Sequence, residues 1–251
     1  MRKYSVLTGL ALMSIIGCSM PTVFVPSIPQ NPPVKEVRWL EQGWSSDERF
    51  WFHHVSQGTS TLPVPYSWFL ALEQPELSIL SNPGMLSDPS YLSRYGFIPS
   101  LKRLGGRFRS QETHPTFSGN PDGLPVGFSK LPAAPDPVTG AMQPDQLGFT
   151  CAACHTGQIE YQGTSFRIDG APAMTNLGKF RNALGLALSQ TNSVPGRFGR
   201  FAKRVLGEDY TAEQAAQLQG QLKVVLAKIE QFKAITDTVS HQNVEEGFAR
   251  L

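Results

Sequence analysis

The feature that most constrains this 251-residue chain is a short motif near its middle, Cys151-Ala152-Ala153-Cys154-His155. Two thiols separated by two residues lie on one helical turn, where they can add across the two vinyl groups of a haem. The adjoining imidazole can then bind the haem iron. The motif therefore predicts one covalent haem c, with Cys151 and Cys154 as thioether anchors and His155 as the proximal iron ligand.

Two other uses of a paired cysteine fit this sequence less well. A structural zinc site needs four protein ligands, and the one further cysteine in the chain is Cys18, close to the N-terminus. A thioredoxin-type redox pair should follow a strand in a βαβ unit, whereas the sequence before Cys151 is rich in proline and glycine. Haem attachment is the interpretation that uses all three residues of the motif.

The sequence does not identify the second axial ligand of the haem iron. A haem with one known axial ligand has either a second ligand or a free position, and thioether and imidazole groups are the usual second ligands. Spacing selects none of the candidates, which are His53, His54, His114, Met142 and Met174.

The N-terminus has the pattern of an exported lipoprotein. Arg2 and Lys3 precede an apolar run that is too short to span a membrane, which is typical of a signal peptide over residues 1–17. The residues before Cys18 resemble a bacterial lipobox, in which that cysteine becomes the lipidated first residue. Ser19, rather than Asp, follows it, and this predicts a periplasmic protein anchored to the outer membrane. The alternative is an ordinary cleaved signal peptide with a free Cys18.

Composition narrows the range of partners. Removing the signal peptide would remove two of the 22 basic residues and none of the 20 acidic ones, which leaves 20 of each. A neutral chain gives no indication of a nucleic-acid partner. The expected partners are the membrane, through the lipid anchor, and an unidentified redox protein.

The predicted organisation is a Pro-rich tether over residues 18–44 and one haem domain over residues 45–251. The 23 glycines and 20 prolines predict long loops, including an ordered loop from Gln111 to Gly148 that wraps the haem edge. Alternating polarity from Gln158 to Asp169 predicts a hairpin. Helix caps are predicted at Ser45–Glu48 and at Thr211 with Gln214. The fold class expected is mainly α, a cytochrome-c-like haem domain with long Pro/Gly-rich loops and one small β-hairpin.

Several segments together resemble the N-terminal half of the rubber-oxygenase-like di-haem cytochromes c, which belong with the bacterial di-haem cytochrome c peroxidases. The segments that carry the resemblance are Gln57-Gly58-Thr59, Pro65-Tyr66-Ser67-Trp68-Phe69 with Leu72-Glu73, the run from Phe149 to Ile159, and Arg167 to Pro172. The resemblance implies a mainly helical protein of two cytochrome-c-like domains, each with its own haem. It also implies that the N-terminal haem binds dioxygen, as in the rubber oxygenases, or that one haem of the pair reacts with hydrogen peroxide, as in the peroxidases. This chain has a single CxxCH, so the second haem domain of the family is expected to be absent.

The function expected from the sequence is that of a periplasmic c-type haem oxidoreductase. An open distal side would allow peroxide or dioxygen chemistry, whereas a second protein ligand would make the domain a non-catalytic electron-transfer module. The substrate and the catalytic residues are not identified by any motif.

Overall fold

The structure, a computed structural model, describes residues 34–58, 62, 64–76, 82–100, 120–136 and 139–239. The helices within these ranges are α1 (Ser46–His54), α2 (Tyr66–Ala71), α3 (Pro89–Ser93), α4 (Ala152–His155), α5 (Leu177–Ser193), α6 (Arg197–Leu206) and α7 (Ala212–Val239). The strands are β1 (Glu36–Trp39), β2 (Phe128–Leu131), β3 (Ala134–Pro135), β4 (Met142–Gln143), β5 (Gln146–Phe149), β6 (Thr156–Tyr161) and β7 (Thr164–Asp169).

The strands of the described residues form three small sheets. In the largest, β7 is central, with β1 parallel on one side and β6 antiparallel on the other. The other two sheets are the antiparallel pairs β2–β5 and β3–β4. The expected fold class, a mainly α cytochrome-c-like domain, is therefore wrong, because the chain has a mixed α/β fold. The predicted hairpin is present as β6–β7, but the described residues contain five further strands.

Strand β1 lies inside the range assigned to the tether, residues 18–44. Its register pairs Glu36 with Thr164 and Trp39 with Arg167. The side chain of Gln42 also hydrogen-bonds both the N–H and the carbonyl of Asp169, at 3.0 and 2.7 Å. The part of the range from residue 34 onward thus belongs to the folded unit.

Both predicted helix caps are confirmed. The N–H of Glu48 donates to Ser45 Oγ at 3.2 Å, and the Glu48 carboxylate accepts from the Ser45 N–H at 2.8 Å, so α1 begins with a capping box. Thr211 and Gln214 make the same reciprocal pair before α7, at 3.2 and 2.8 Å. These bonds satisfy amide groups that a helix terminus otherwise leaves without partners.

The core that supports the motif is a cluster of phenylalanine rings centred on Phe180 of α5. Its ring centroid lies 5.1 to 6.3 Å from those of four other rings, which come from α2, β2, β5 and the loop after α3. The four are Phe69, Phe97, Phe128 and Phe149, and all are at least 96% buried. Aromatic pairs at such distances add to the stabilisation from burial itself. Because Phe149 is two residues before Cys151, this aromatic core extends as far as the motif.

A buried carboxylate ties α6 to the end of α2. Arg200 binds Glu73 with two hydrogen bonds, at 2.7 and 2.8 Å, and Arg204 donates a third at 3.0 Å. Burial raises the pKa of the Glu73 carboxyl, but the hydrogen bonds and charges of Arg200 and Arg204 together outweigh it, so the pKa is below its usual value. Glu73 is therefore ionised at neutral pH and stabilises the contact between the two helices.

Glu73→Gln is expected to lower the free energy of unfolding at neutral pH by about 2 kcal/mol, since charge-assisted hydrogen bonds are lost. A carboxyl with a depressed folded-state pKa contributes stability above its unfolded pKa, near about 4.3, and loses that contribution as pH falls through the folded pKa. The difference between wild type and variant should therefore shrink below about pH 4. Urea denaturation across this range measures it. The control Glu208→Gln, at an exposed pair with Lys203, should cost less than about 0.5 kcal/mol. A difference that does not change with pH would contradict the assignment.

Candidate haem-attachment site

The motif forms the single turn α4, between β5 and β6. Its N–H groups at Cys154 and His155 both donate to the Cys151 carbonyl, at 3.2 and 2.9 Å. Ala152 and Ala153 are buried, while the two cysteines and His155 are half-buried. Neither thiol is in a disulfide. The turn thus packs its two small residues into the core and leaves both sulfur atoms and the imidazole partly accessible, as covalent haem attachment requires.

Three successive carbonyl groups of the turn are held by the segment that follows β7. The bonds run from Thr175 Oγ1 to Ala153 O at 3.1 Å, from Ala173 N to Cys154 O at 2.9 Å, and from Gly170 N to His155 O at 2.6 Å. The carbonyls of a short helix otherwise lack intrahelical partners. Residues 170–175 therefore fix the position of the turn, and one of the three donors, Gly170, belongs to the Arg167–Pro172 run.

Gly127 supports the turn from the opposite side. Its φ is +90°, a conformation that favours glycine, and a β-carbon built there would overlap the Ala153 backbone. The N–H of Thr150 donates to the Gly127 carbonyl at 2.8 Å. This close backbone approach is possible only without a side chain at position 127.

The two sulfur atoms have different surroundings. Gln57 Nε2 donates to Cys151 Sγ at 3.3 Å, and the Gln57 N–H is itself bound to the Phe149 carbonyl at 2.8 Å. Burial raises the pKa of the Cys154 thiol, the neighbouring Cys151 adds to this effect, and the Arg181 charge opposes it. Cys154 is therefore a protonated thiol at neutral pH.

Sequence reasoning did not identify Gln57 or Arg181 as neighbours of the thiols. Gln57 lies in one of the segments that carry the family resemblance, and this was the one sequence feature that could have pointed to it. Arg181 directly follows the buried Phe180 on α5, and burial lowers the pKa of its guanidinium. Its place beside Cys154 depends on how α5 packs against α4, which no local pattern reveals.

A buried carboxylate, Asp169, joins the end of β7 to the motif. Its Oδ1 accepts from His53 Nε2 at 2.8 Å and from Thr156 Oγ1 at 3.2 Å, and its Oδ2 pairs with Arg49 Nε at 3.3 Å. Thr156 is the residue directly after His155. Asp169 thus connects α1 to the His155 end of the turn through two buried side chains.

Asp169→Ala is expected to lower the free energy of unfolding by about 3 kcal/mol, because His53 and Thr156 would lose their buried acceptor. Glu36→Ala is the matched control, since Glu36 is a carboxylate of the same sheet that pairs with Arg38 at 2.8 Å but is 48% exposed. The control should change stability by less than about 0.5 kcal/mol. Chemical denaturation of the two variants measures the difference, and equal effects would show that Asp169 has no special structural role.

The five distal-ligand candidates have very different surroundings. His53 is 4% exposed and its Nε2 is engaged by Asp169. His54 is half-buried, with its ring 4.9 Å from that of Phe50. Met142 lies on β4 and is 69% exposed. His114 lies outside the described residues, as does the predicted lipidation residue, Cys18.

Met174 is the candidate whose backbone lies beside the turn. It sits between Ala173 and Thr175, both of which hydrogen-bond the carbonyls of α4, and its side chain is 83% exposed. An exposed thioether beside the motif is available to an iron bound there. Neither the sequence spacing nor the structure fixes it as the ligand, so Met174 stays a prediction.

Two further properties concern only the described part of the chain. No group of three or more His, Cys, Asp or Glu side chains there is arranged to hold a metal ion, so a zinc site on Cys151 and Cys154 finds no further ligand among these residues. None of the helices described has the length and apolar character needed to cross a membrane.

Comparison with known proteins finds a bacterial relative. The chain is 39% identical, over 261 aligned residues, to an uncharacterized protein, y4iJ, of Sinorhizobium fredii (strain NBRC 101917 / NGR234). The alignment covers all of this chain and 40% of the relative, so the chain spans less than half the length of the relative it matches. No protein-family model matches the chain, and no solved structure does.

Proposed function

We propose that this chain is a periplasmic c-type haem oxidoreductase that carries one covalent haem on Cys151 and Cys154, with His155 as an axial iron ligand. One observation carries the proposal. The CxxCH motif forms a single anchored turn with two unpaired, half-exposed thiols and an accessible imidazole. A bound haem would supply one-electron transfer, and an open axial position would add reactivity toward peroxide or dioxygen.

The residues around the turn fit a covalently held group. The imidazole of His155 makes no hydrogen bond to another described residue, so it is available to a metal ion. The three carbonyl bonds from residues 170–175 keep the turn rigid. The buried phenylalanine rings beneath the turn exclude water from its inner side. Pre-organisation of this kind lowers the entropy cost of holding the group in one orientation.

A non-catalytic electron-transfer module is the second candidate function, and Met174 favours it. Its exposed thioether lies next to the segment that anchors the turn. If Met174 fills the second axial position, the iron has two protein ligands and no free site for peroxide or dioxygen. The rubber-oxygenase resemblance favours the catalytic alternative instead, although the mixed α/β fold differs from the helical plan that this resemblance implies.

The predicted location belongs to the same proposal. A lipid on Cys18 would anchor the protein to the outer membrane and place the haem in the periplasm, where covalent haem c is assembled in bacteria. The expected partner is a redox protein that exchanges electrons with this haem.

An optical spectrum of the full chain, expressed with haem-c maturation factors, tests the proposal. High-spin bands and a carbon monoxide shift in the ferrous form would support the open iron of an oxidoreductase that handles peroxide or dioxygen. A low-spin spectrum without a carbon monoxide shift would support the electron-transfer module. Absence of covalent haem would overturn both.

Met174→Ala then separates the two functions. If Met174 is the ligand, this variant should change a low-spin spectrum to a high-spin one. Met142→Ala is the parallel test, because Met142 is the other exposed methionine candidate and lies on β4. A high-spin spectrum in that variant instead would make Met142 the ligand. An unchanged spectrum in Met174→Ala would remove Met174 from the candidates.

A further inference from the structure

The three-stranded sheet β1–β7–β6 has its polar side chains on the inside. Side chains alternate between the two faces of a sheet, and the buried face is ordinarily the apolar one. Here the buried positions of β7 are polar or charged, at 1 to 2% exposure. They are Ser165, Arg167 and Asp169. Helix α1 packs against this face at Asp169, which pairs with His53 and Arg49, and the Pro99 carbonyl accepts from Arg167.

The opposite face of this sheet is apolar and largely exposed. The register places Ile159 of β6 beside Phe166 of β7, and Gly157 beside Ile168, on the face away from α1. Ile159 is 59% exposed and Tyr161 is 64% exposed, while Phe166 and Ile168 are half-buried. We call these four residues, Ile159, Tyr161, Phe166 and Ile168, the outer face. A patch of this kind is a candidate contact surface, because adjoining apolar residues at a protein surface are often functional.

We propose that the outer face docks on a lipid surface, the membrane that carries the Cys18 anchor. This inference rests on the lipid anchor of the proposed function. Seventeen residues, 19–35, separate the anchor from the start of β1 at Glu36. Even when fully extended they reach no more than about 60 Å. The sheet that contains β1 therefore lies within reach of the membrane.

The chemistry of the outer face suits a bilayer surface. Tyrosine favours the boundary between lipid and water, and the aliphatic side chains can enter the acyl boundary. The rim at β1 carries Glu36 and Arg38, which pair with each other at 2.8 Å, so no uncompensated acid repels an anionic headgroup there. A weak contact is enough, since the anchor already holds the sheet at high local concentration near the membrane.

The size of the outer face disfavours a second copy of this chain. Strands β6 and β7 have six residues each and β1 has four, so the face measures at most roughly 20 by 15 Å. That area, about 300 Å², is well below the roughly 800 Å² that each partner buries in a stable protein interface. A lipid surface needs neither this area nor shape complementarity.

The test measures how fast a water-soluble maleimide labels an introduced cysteine. Tyr161→Cys reports on the outer face, and Trp51→Cys is the matched control, since Trp51 is also 64% exposed but lies on α1, which covers the other face. Each variant is studied as the lipidated haem protein on vesicles of phosphatidylethanolamine and phosphatidylglycerol. The reference is the same mature chain with Cys18→Ala, exported behind an ordinary cleavable signal peptide and studied without vesicles.

Labelling of Tyr161→Cys should be at least about tenfold slower on vesicles, and labelling of Trp51→Cys should change less than about twofold. Equal changes at the two positions would overturn the docking. Slow labelling of Tyr161→Cys without vesicles would also overturn it, because protein would then cover the face. Mass spectrometry of the mature N-terminus reports separately on the anchor: an unmodified Cys18 would overturn the anchor and the docking together, whereas a lipidated Cys18 without protection would overturn the docking alone.

Discussion

Replacing both Cys151 and Cys154 with alanine is expected to abolish covalent haem while leaving export and the lipid on Cys18 unchanged. The two thioether bonds are the only covalent links that the motif can make to the haem vinyl groups. Without them the haem is held by axial coordination and packing, which denaturants disrupt. Haem staining after denaturing electrophoresis should fall to background in the double variant, and the mass of the intact chain should lack the haem.

Cys18→Ala is the matched control for that experiment, since it removes the third cysteine of the chain. This variant should keep its covalent haem and lose its lipid, so the two modifications should separate cleanly. Haem that persists through denaturation in the double variant would contradict the attachment site. Haem lost in both variants would instead indicate that maturation depends on membrane anchoring.

Features set by neighbouring residues were predicted from the sequence, and those set by distant contacts were not. The caps at Ser45 and Thr211 depend on side chains three residues apart, and the β6–β7 hairpin depends on adjacent alternation. Strand β1 was missed because its partner β7 is far away in the chain and the alternation in its own four residues is too short to predict a strand alone. The same limit explains why the fold class was wrong.

The segment from Gln111 to Gly148, which was predicted to be a wrapping loop, is a second case in which distant contacts decide the structure. Its proline-rich sequence gave no indication of strand, yet the described part contains β2, β3, β4 and β5. These strands have two to four residues each, and Pro135 occupies β3, in a sheet of only two strands. Proline is tolerated where no further strand needs its missing N–H. Such short pairings depend on tertiary contacts rather than on local propensity.

At the site, the CxxCH motif was identified from the sequence, but the residues that hold it in place were not. In the structure Arg167 donates to the Gln158 side chain and to the Pro99 carbonyl, while Asp169 binds His53 and Thr156. Alternation along the predicted hairpin puts Arg167 and Asp169 on one face of β7. Which face is buried was decided by α1, whose approach no pattern in the hairpin records.

Gly127→Ala should disrupt the site strongly, because the glycine packs directly against the backbone of the motif. Two costs combine at this position. A residue with a β-carbon is strained at a φ of +90°, and the added carbon would overlap the backbone of Ala153 inside the motif. Backbone atoms cannot rotate away as a flexible side chain can, so α4 or β2 must move. We expect a loss of at least about 4 kcal/mol in the free energy of unfolding.

Gly140→Ala separates the two costs, because Gly140 also has a positive φ, +71°, but its added β-carbon would meet no atom within 4 Å. That control should lose only about 1 kcal/mol, the cost of the backbone conformation alone. Chemical denaturation gives both values, and the covalent haem content of each variant gives a second, independent readout. Gly127→Ala should show a lower haem content, because a displaced turn no longer presents both thiols to one haem, whereas Gly140→Ala should match the wild type. Equal stability losses with equal haem content would mean that the contact between Gly127 and Ala153 does not position the motif.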